Sequence, residues 1–271
     1  MKRNLFSLDD KVIVVTGGYG ILGTAMVEYL AAEGASVVVL GRNAQKGEAL
    51  VAQIKANKGE AFFAQADVVN KEELIAARTK ILAKYGQIDI LVNAAGGNMP
   101  GATIGPDQTI FDLEVDDFRQ VVDVNLMGTV LPTIVFAEAM VARKQGNIIN
   151  ITSESAIRPL TRVAGYGAAK AAVSNFTQYM AGELAFKFGE GFRVNALAPG
   201  FFLTDQNRSL LTQPDGSYSD RAKTILAHTP FSRFGEADEL LGSLHYLASD
   251  ASKFVTGTIL VIDGGFNAFS I

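Results

Sequence analysis

Cysteine is absent from the 271-residue chain. That excludes disulfides, thiolate metal sites and cysteine nucleophiles, and it fits a reducing compartment. Histidine is nearly absent. His228 and His245 stand far apart without ligand-like spacing, so no metal is expected. Charge is sparse: Asp, Glu, Lys and Arg make up 19%, below the usual quarter. The net charge is -4 and no basic block occurs, which argues against nucleic acid as a partner. No stretch of eighteen apolar residues is seen. The longest charge-free run, Ile90 to Pro106, is broken by Gly, Asn and Pro, so no membrane partner is expected. The first ten residues, MKRNLFSLDD, hold no apolar core of signal-peptide length, and the expected location is cytoplasmic.

What remains is apolar and rhythmic. Hydrophobic residues are 48%, enough for a large core and for a buried subunit interface. Val- and Ile-rich runs fall at 11–16, 35–40, 61–65, 88–93, 147–152, 192–197 and 257–262. Continuous apolar runs suit strands covered on both faces. Helix-like stretches lie between them. In LGTAMVEYLAAEG, Met26, Leu30 and Ala31 share a face and Gly34 closes the end. The alternation predicts an α/β fold: one Rossmann-type, doubly wound domain over 1–271, with seven mostly parallel strands and helices on both faces. The polar segment at about 201–235 breaks the rhythm and reads as a substrate lid.

The first strand runs into TGGYGILG, with Gly17, Gly20 and Gly23 three apart and a helix following. A tight turn that brings backbone and a helix N-terminus to a pyrophosphate needs such a pattern. The second strand ends in Gly41, Arg42 and Asn43, where a carboxylate would favour NAD. Arginine there favours NADP over NAD by pairing with a 2′-phosphate, or it is a solvated loop charge. Asp67, next to Val68, can accept from an adenine amino group or cap a helix starting near Lys71. Asn93, Ala94, Ala95 and Gly96 end the fourth strand with small residues against which a dinucleotide can lie.

Tyr166 and Lys170 stand four apart in VAGYGAAKAAV, so a helix puts them on one face. A free tyrosine titrates near 10 and is a poor base at neutral pH. An ammonium one turn away, with a positive nicotinamide ring, is expected to favour the phenolate.

In these motifs the chain resembles the short-chain dehydrogenase/reductase family over Lys11 to Gly265. The resemblance rests on TGGYGILG, NAAG, the Asn of VDVNLMG, ITSES thirteen residues before the tyrosine, YGAAK and NALAPG. One departure is that Ile21 replaces the middle glycine, so the loop reads TGxxGxxG, as in the longer epimerase branch. The chain is too short for that branch's extra domain, so the shorter type is kept. The resemblance implies Asn125, Ser153, Tyr166 and Lys170 as the catalytic set, with Ser153 orienting the keto oxygen and Asn125 supporting a proton path to Lys170. It implies further cofactor contacts at Tyr19, Leu22, Pro199, Gly200, Phe202 and Thr204. It also implies a homotetramer or dimer built on the Tyr–Lys helix and the one before it, in which Pro132 marks a start or a kink.

Four segments, at 93–109, 158–173, 198–218 and 263–269, resemble the D-mannonate oxidoreductase (fructuronate reductase) branch. The reading is an enzyme that transfers hydride between nicotinamide and a keto or hydroxy group of a sugar acid, D-fructuronate or D-mannonate. Arg158, Arg162 and Arg208 are candidates for its carboxylate. Asn98, Gln206 and Asn207 are candidates for its hydroxyls. The alternatives are a 3-oxoacyl or sugar-ketone reductase, and a dinucleotide sensor without turnover.

Overall fold

The computed structural model describes residues 4–203 and 211–268. Seven strands form: β1 (Val12–Thr16), β2 (Ser36–Gly41), β3 (Glu60–Gln65), β4 (Ile90–Asn93), β5 (Gly146–Ile151), β6 (Phe192–Pro199) and β7 (Ile259–Ile262). They lie in one sheet in the order β3-β2-β1-β4-β5-β6-β7, and every pairing is parallel. The expected runs match these strands to within about two residues.

The period of two along each strand divides its side chains between two cores. Ile13, Val15, Val37 and Val39 face one apolar cluster. Val12, Val14, Val38 and Leu40 face the other. Against the first cluster lie α1 (Ile21–Ala32), α2 (Ala44–Ala56) and α8 (Leu241–Ala248), through Met26, Leu30, Leu50, Ile54 and Leu244. Against the second lie α3 (Lys71–Tyr85), α5 (Gly128–Val141) and α6 (Ala164–Phe188), through Leu74, Ile81, Phe136, Met140 and Leu184. Covering both faces is why the strands read as unbroken apolar runs.

Asn43 and Asn70 cap α2 and α3 by accepting from the amides of Lys46 and Glu73. Asp67 is therefore not the cap of α3. Gly86, at φ 72, ends that helix. Pro132 lies inside α5 rather than at its start, and α4 (Val115–Val122) passes through a π-helical turn, Asp123–Met127, into α5. The helical stretch Val115–Val141 is long and apolar enough to cross a bilayer by length and composition. Here Val135, Phe136 and Met140 bury it as a core helix.

The described part of the expected lid has structure of its own. Its ends are clasped by the bridge between Phe202 and Gly235. Leu211, Ala222, Ile225 and Phe234 form a small separate core, and α7 (Asp220–Ala227) stands on it.

The chain runs outward from β1 to β3, then returns to place β4 on the other side of β1. That reversal opens a crevice at the carboxyl ends of β1 and β4, where open α/β sheets hold their ligands.

Candidate active site

The crevice is a cleft of about 490 Å³. Its floor is the glycine turn. Gly17 sits at φ 63, and a Cβ there would lie 2.8 Å from the Ala95 Cα. A Cβ on Gly23 would come within 2.2 Å of the Gly17 carbonyl oxygen. Backbone thus fills the space that side chains would need, and β1 and β4 close on each other. Thr16 Oγ1 accepts from the amides of Ala94 and Ala95, each at 3.1 Å, and fixes the β4 side of this contact. The N-terminus of α1 has no side-chain cap and no acidic residue in its first turn. Its free N–H groups and positive dipole end suit a pyrophosphate.

At the end of β2 no carboxylate is present. A Cβ on Gly41 would meet the Tyr19 ring at 2.5 Å, so Tyr19 lies across the glycine, and its hydroxyl accepts from Asn43 N at 2.8 Å. Arg42 reaches into solvent with its Nη1 3.7 Å from Asp67 Oδ2. Asp67 lines the cleft and also accepts from the Val69 amide.

Most expected cofactor positions line this cleft: Gly17, Tyr19, Gly20, Ile21, Leu22, Gly41, Arg42, Asp67, Val68, Ala94, Ala95, Gly96, Tyr166, Lys170, Pro199, Gly200 and Phe202. Two do not. Asn43 caps α2. Asn93 is buried behind the wall, where its Nδ2 donates to Thr133 Oγ1 at 2.9 Å and Asn150 Oδ1 at 2.8 Å. Its amide knits β4 to β5 and α5. Thr204 lies outside the described residues. Gly97, the last of the small residues after β4, lines the cleft too, and Ala66, Val124 and Thr152 do so without having been singled out. They are small or apolar and carry no sequence signal of chemistry.

At the cleft's far end stand Ser153, Tyr166 and Lys170. β5 delivers Ser153 just past its last residue, and α6 carries the other two on successive turns. The Ser153 side chain accepts from the Ser155 amide at 3.2 Å, and its hydroxyl lies near enough to the Tyr166 phenol to act on it. Lys170 is buried, donates to the Ile151 carbonyl at 2.8 Å, and has its Nζ 5.6 Å from the centre of the Tyr166 ring. Burial pulls this ammonium down to about 8.

The phenol departs from the sequence-based expectation. Burial raises the Tyr166 pKa, and the Ser153 hydroxyl opposes it. Burial outweighs the other influences on this phenol. A raised phenol keeps its proton at neutral pH.

Asn125 occupies the π-helical turn and is fully buried. Its Nδ2 donates to the carbonyls of Gly97 and Val121, at 2.7 and 2.8 Å, and its Oδ1 accepts from Gly97 N at 3.2 Å. A Cβ on Gly96 would fall 2.5 Å from Asn125 Oδ1 and 3.2 Å from Lys170 Nζ. Asn125 therefore clamps the loop after β4 directly beside the lysine.

The substrate candidates fare less evenly. Asn98 donates to Thr103 Oγ1 at 2.7 Å and stays within its loop. Arg158 is held by the C-terminal segment, giving Nε to Asn267 Oδ1 and Nη2 to Asn267 O, both at 2.7 Å. It is a tether rather than an open clamp. Arg162 lies just ahead of α6. Gln206, Asn207 and Arg208 lie outside the described residues. Glu154, which carried no sequence signal, is the unexpected residue. It follows Ser153 directly, is 1% exposed, and neither carboxyl oxygen has a hydrogen-bond partner. Burial and the neighbouring Asp263 push its carboxyl up to about 7, against the opposing Arg158. No group of three or more metal-ligating side chains occurs among the described residues.

Comparison with known proteins gives the class. The family model for short chain dehydrogenases matches residues 11–215. The "Uncharacterized oxidoreductase UxuB" of Bacillus subtilis is 42% identical, with 97% of each chain covered. A 3-oxoacyl-[acyl-carrier-protein] reductase of Synechocystis is 37% identical, over 97% of this chain and 99% of the other. Among solved structures, a "putative D-Mannonate oxidoreductase" of Haemophilus influenzae with bound NAD superposes at TM-score 0.92, with 38% identity and 98% and 99% of the two chains covered. A gluconate 5-dehydrogenase of Burkholderia cenocepacia, in complex with NADP and tartrate, superposes at 0.87 with 33% identity and 98% of each chain. The chain belongs to the short-chain dehydrogenase/reductase family and is an NAD(P)-dependent oxidoreductase.

Proposed function

We propose that the chain interconverts a sugar-acid ketone and its alcohol, D-fructuronate and D-mannonate being the pair. One observation supports the reaction: Ser153 and Tyr166 line the same cleft as the glycine turn, with the Nζ of a buried lysine 5.6 Å from the centre of the phenol ring. The bound dinucleotide supplies the hydride. Gly17, Gly20 and the N-terminus of α1 hold its phosphates, and Ala94 to Gly96 give it a flat wall. The Ser153 hydroxyl donates to the keto oxygen and orients it. Tyr166 donates the phenolic proton to that oxygen. Its raised pKa keeps the proton in place beforehand, which suits reduction. Lys170, titrating near 8, is placed to return a proton from the Asn125 side.

Arg42 supports NADP. Its guanidinium is 75% exposed at the end of β2, free to turn from Asp67 to a 2′-phosphate. The sugar-acid assignment draws on the Haemophilus influenzae and Burkholderia cenocepacia structures and on the 93–109 and 158–173 segments. The rival reading, a 3-oxoacyl reductase, is favoured by the Synechocystis relative. Rates of nicotinamide oxidation with D-fructuronate and with a 3-oxoacyl thioester, each with NADH and NADPH, separate the two. Turnover of the thioester alone would overturn the sugar-acid assignment.

A homotetramer is proposed through α5 and α6, which leave Ile134, Tyr179 and Phe186 exposed. Light scattering in solution tests it; a monomer contradicts it.

A further inference from the structure

We propose that Arg162 and Arg221 together form the subsite for the substrate's carboxylate. The inference rests on the sugar-acid reading and supplies what that reading lacks, since Arg158 is occupied by Asn267.

Arg221 meets the turn that carries Arg162 from a different element. Arg221 is the second residue of α7, on the insertion. Its Nη1 donates to Thr161 Oγ1 at 3.0 Å and its Nη2 points at the Thr161 carbonyl at 3.5 Å. Thr161 immediately precedes Arg162, so the Arg221 guanidinium lies against the turn that carries Arg162. α7 is anchored there by Ala222 and Ile225 in the insertion's own apolar core. That core makes the placement a property of the fold.

Arg162 is held in an unfavourable backbone state. It has φ 76, a conformation that L side chains rarely adopt. The Ile104 amide donates to its carbonyl at 3.0 Å and keeps it there. Strain of this kind persists where the surroundings over-determine it, and functional sites are where it collects. The turn leads directly into α6, whose third residue is Tyr166.

Neither arginine has an acidic partner among the described residues, whereas Arg42, Arg78, Arg119, Arg143 and Arg233 do. Both are half-buried. Partial burial and the Arg162 charge both disfavour the charged form of Arg221. The Arg162 charge acts on Arg221, the two like charges repel, and an anion shared between them relieves the repulsion. A carboxylate fits, because its two oxygens can take one N–H fork from each arginine. A sugar acid whose keto oxygen meets Ser153 and Tyr166 would then be held at both ends, across the turn that joins them.

The test is steady-state kinetics on full-length Arg162→Gln, Arg221→Gln and Arg221→Lys, with D-fructuronate and with the uncharged D-fructose. The ratio of the two KM values is the readout, and thermal melting confirms that each variant is folded. Loss of one charge-assisted contact raises KM for the acid by roughly ten- to hundred-fold. D-Fructose is affected far less, and Arg221→Lys recovers part of the loss. Arg119→Gln, an exposed cation on α4, is the control and leaves both KM values unchanged. As a second readout, excess D-mannonate raises the melting temperature of the wild type and not of Arg221→Gln. Equal losses on acid and ketose, or an unchanged KM for the acid, would overturn the subsite while the sugar-acid reading stands. A wild type that turns over uncharged ketones and no sugar acid would overturn both.

Discussion

Glu154→Gln is expected to change how stability varies with pH. The wild-type carboxyl is 1% exposed, has no hydrogen-bond partner, and lies near Asp263. Burial and that neighbour push it from an ordinary 4.5 up to about 7. Between those two values the folded chain binds a proton that the unfolded chain has released. Stability therefore falls as pH rises from about 4.5 to about 7 and is level above. A tenfold difference in proton affinity between the folded and unfolded chain is worth about 1.4 kcal/mol, so the full penalty at alkaline pH is about 3 kcal/mol. Glutamine keeps the shape and removes the titration. Any packing change it brings is constant with pH, so the slope is the readout and the absolute stability is not. Denaturant melts at pH 5 and pH 8 should show the difference between variant and wild type moving by about 2–3 kcal/mol in the variant's favour. In thermal melts that is several degrees for a chain of this size. Parallel curves across this range would refute the reasoning and mean that Glu154 finds a partner in solution.

Other perturbations have equally definite outcomes. Arg42→Asp places a carboxylate at the end of β2, where it accepts from ribose hydroxyls; the ratio of kcat/KM for NADPH to that for NADH should fall by tenfold or more, on the order of one charged contact. An unchanged ratio would remove Arg42 from cofactor choice. Gly17→Ala forces a left-handed alanine against Ala95 backbone at 2.8 Å; a loss of more than about 2 kcal/mol in urea melts is expected, together with loss of dinucleotide binding by fluorescence. Wild-type stability and affinity in this variant would show that the turn can yield.

The sheet was legible because its strands are covered on both faces, so that β1, β2 and β4 stand out as unbroken apolar runs. The cofactor cleft was legible because backbone approach can be met only by Gly17, Gly20 and Gly23, and because Ser153, Tyr166 and Lys170 have fixed spacings along one strand end and one helix. What failed depended on partners distant in sequence. Asn93 looked like part of a cofactor wall, yet Thr133 and Asn150 draw its amide inward. Arg158 looked open to an anion, yet Asn267, more than a hundred residues later, holds it. The direction in which the Tyr166 pKa moves depended on burial, which is not written in a four-residue spacing. Arg221 sat unremarked in a polar stretch, because its meeting with Thr161 is made by the fold of the insertion.

Replacing the phenol is the most direct test of the account. Tyr166→Phe removes the proton donor and leaves the glycine turn, the α1 terminus and Lys170 in place. Single-turnover reduction of D-fructuronate, followed by nicotinamide absorbance with the cofactor prebound, should slow by about a hundredfold or more while cofactor affinity stays near that of the wild type. A Tyr166→Phe enzyme that binds the dinucleotide and reduces the ketone at the wild-type rate would contradict the central claim, that this phenol delivers the proton.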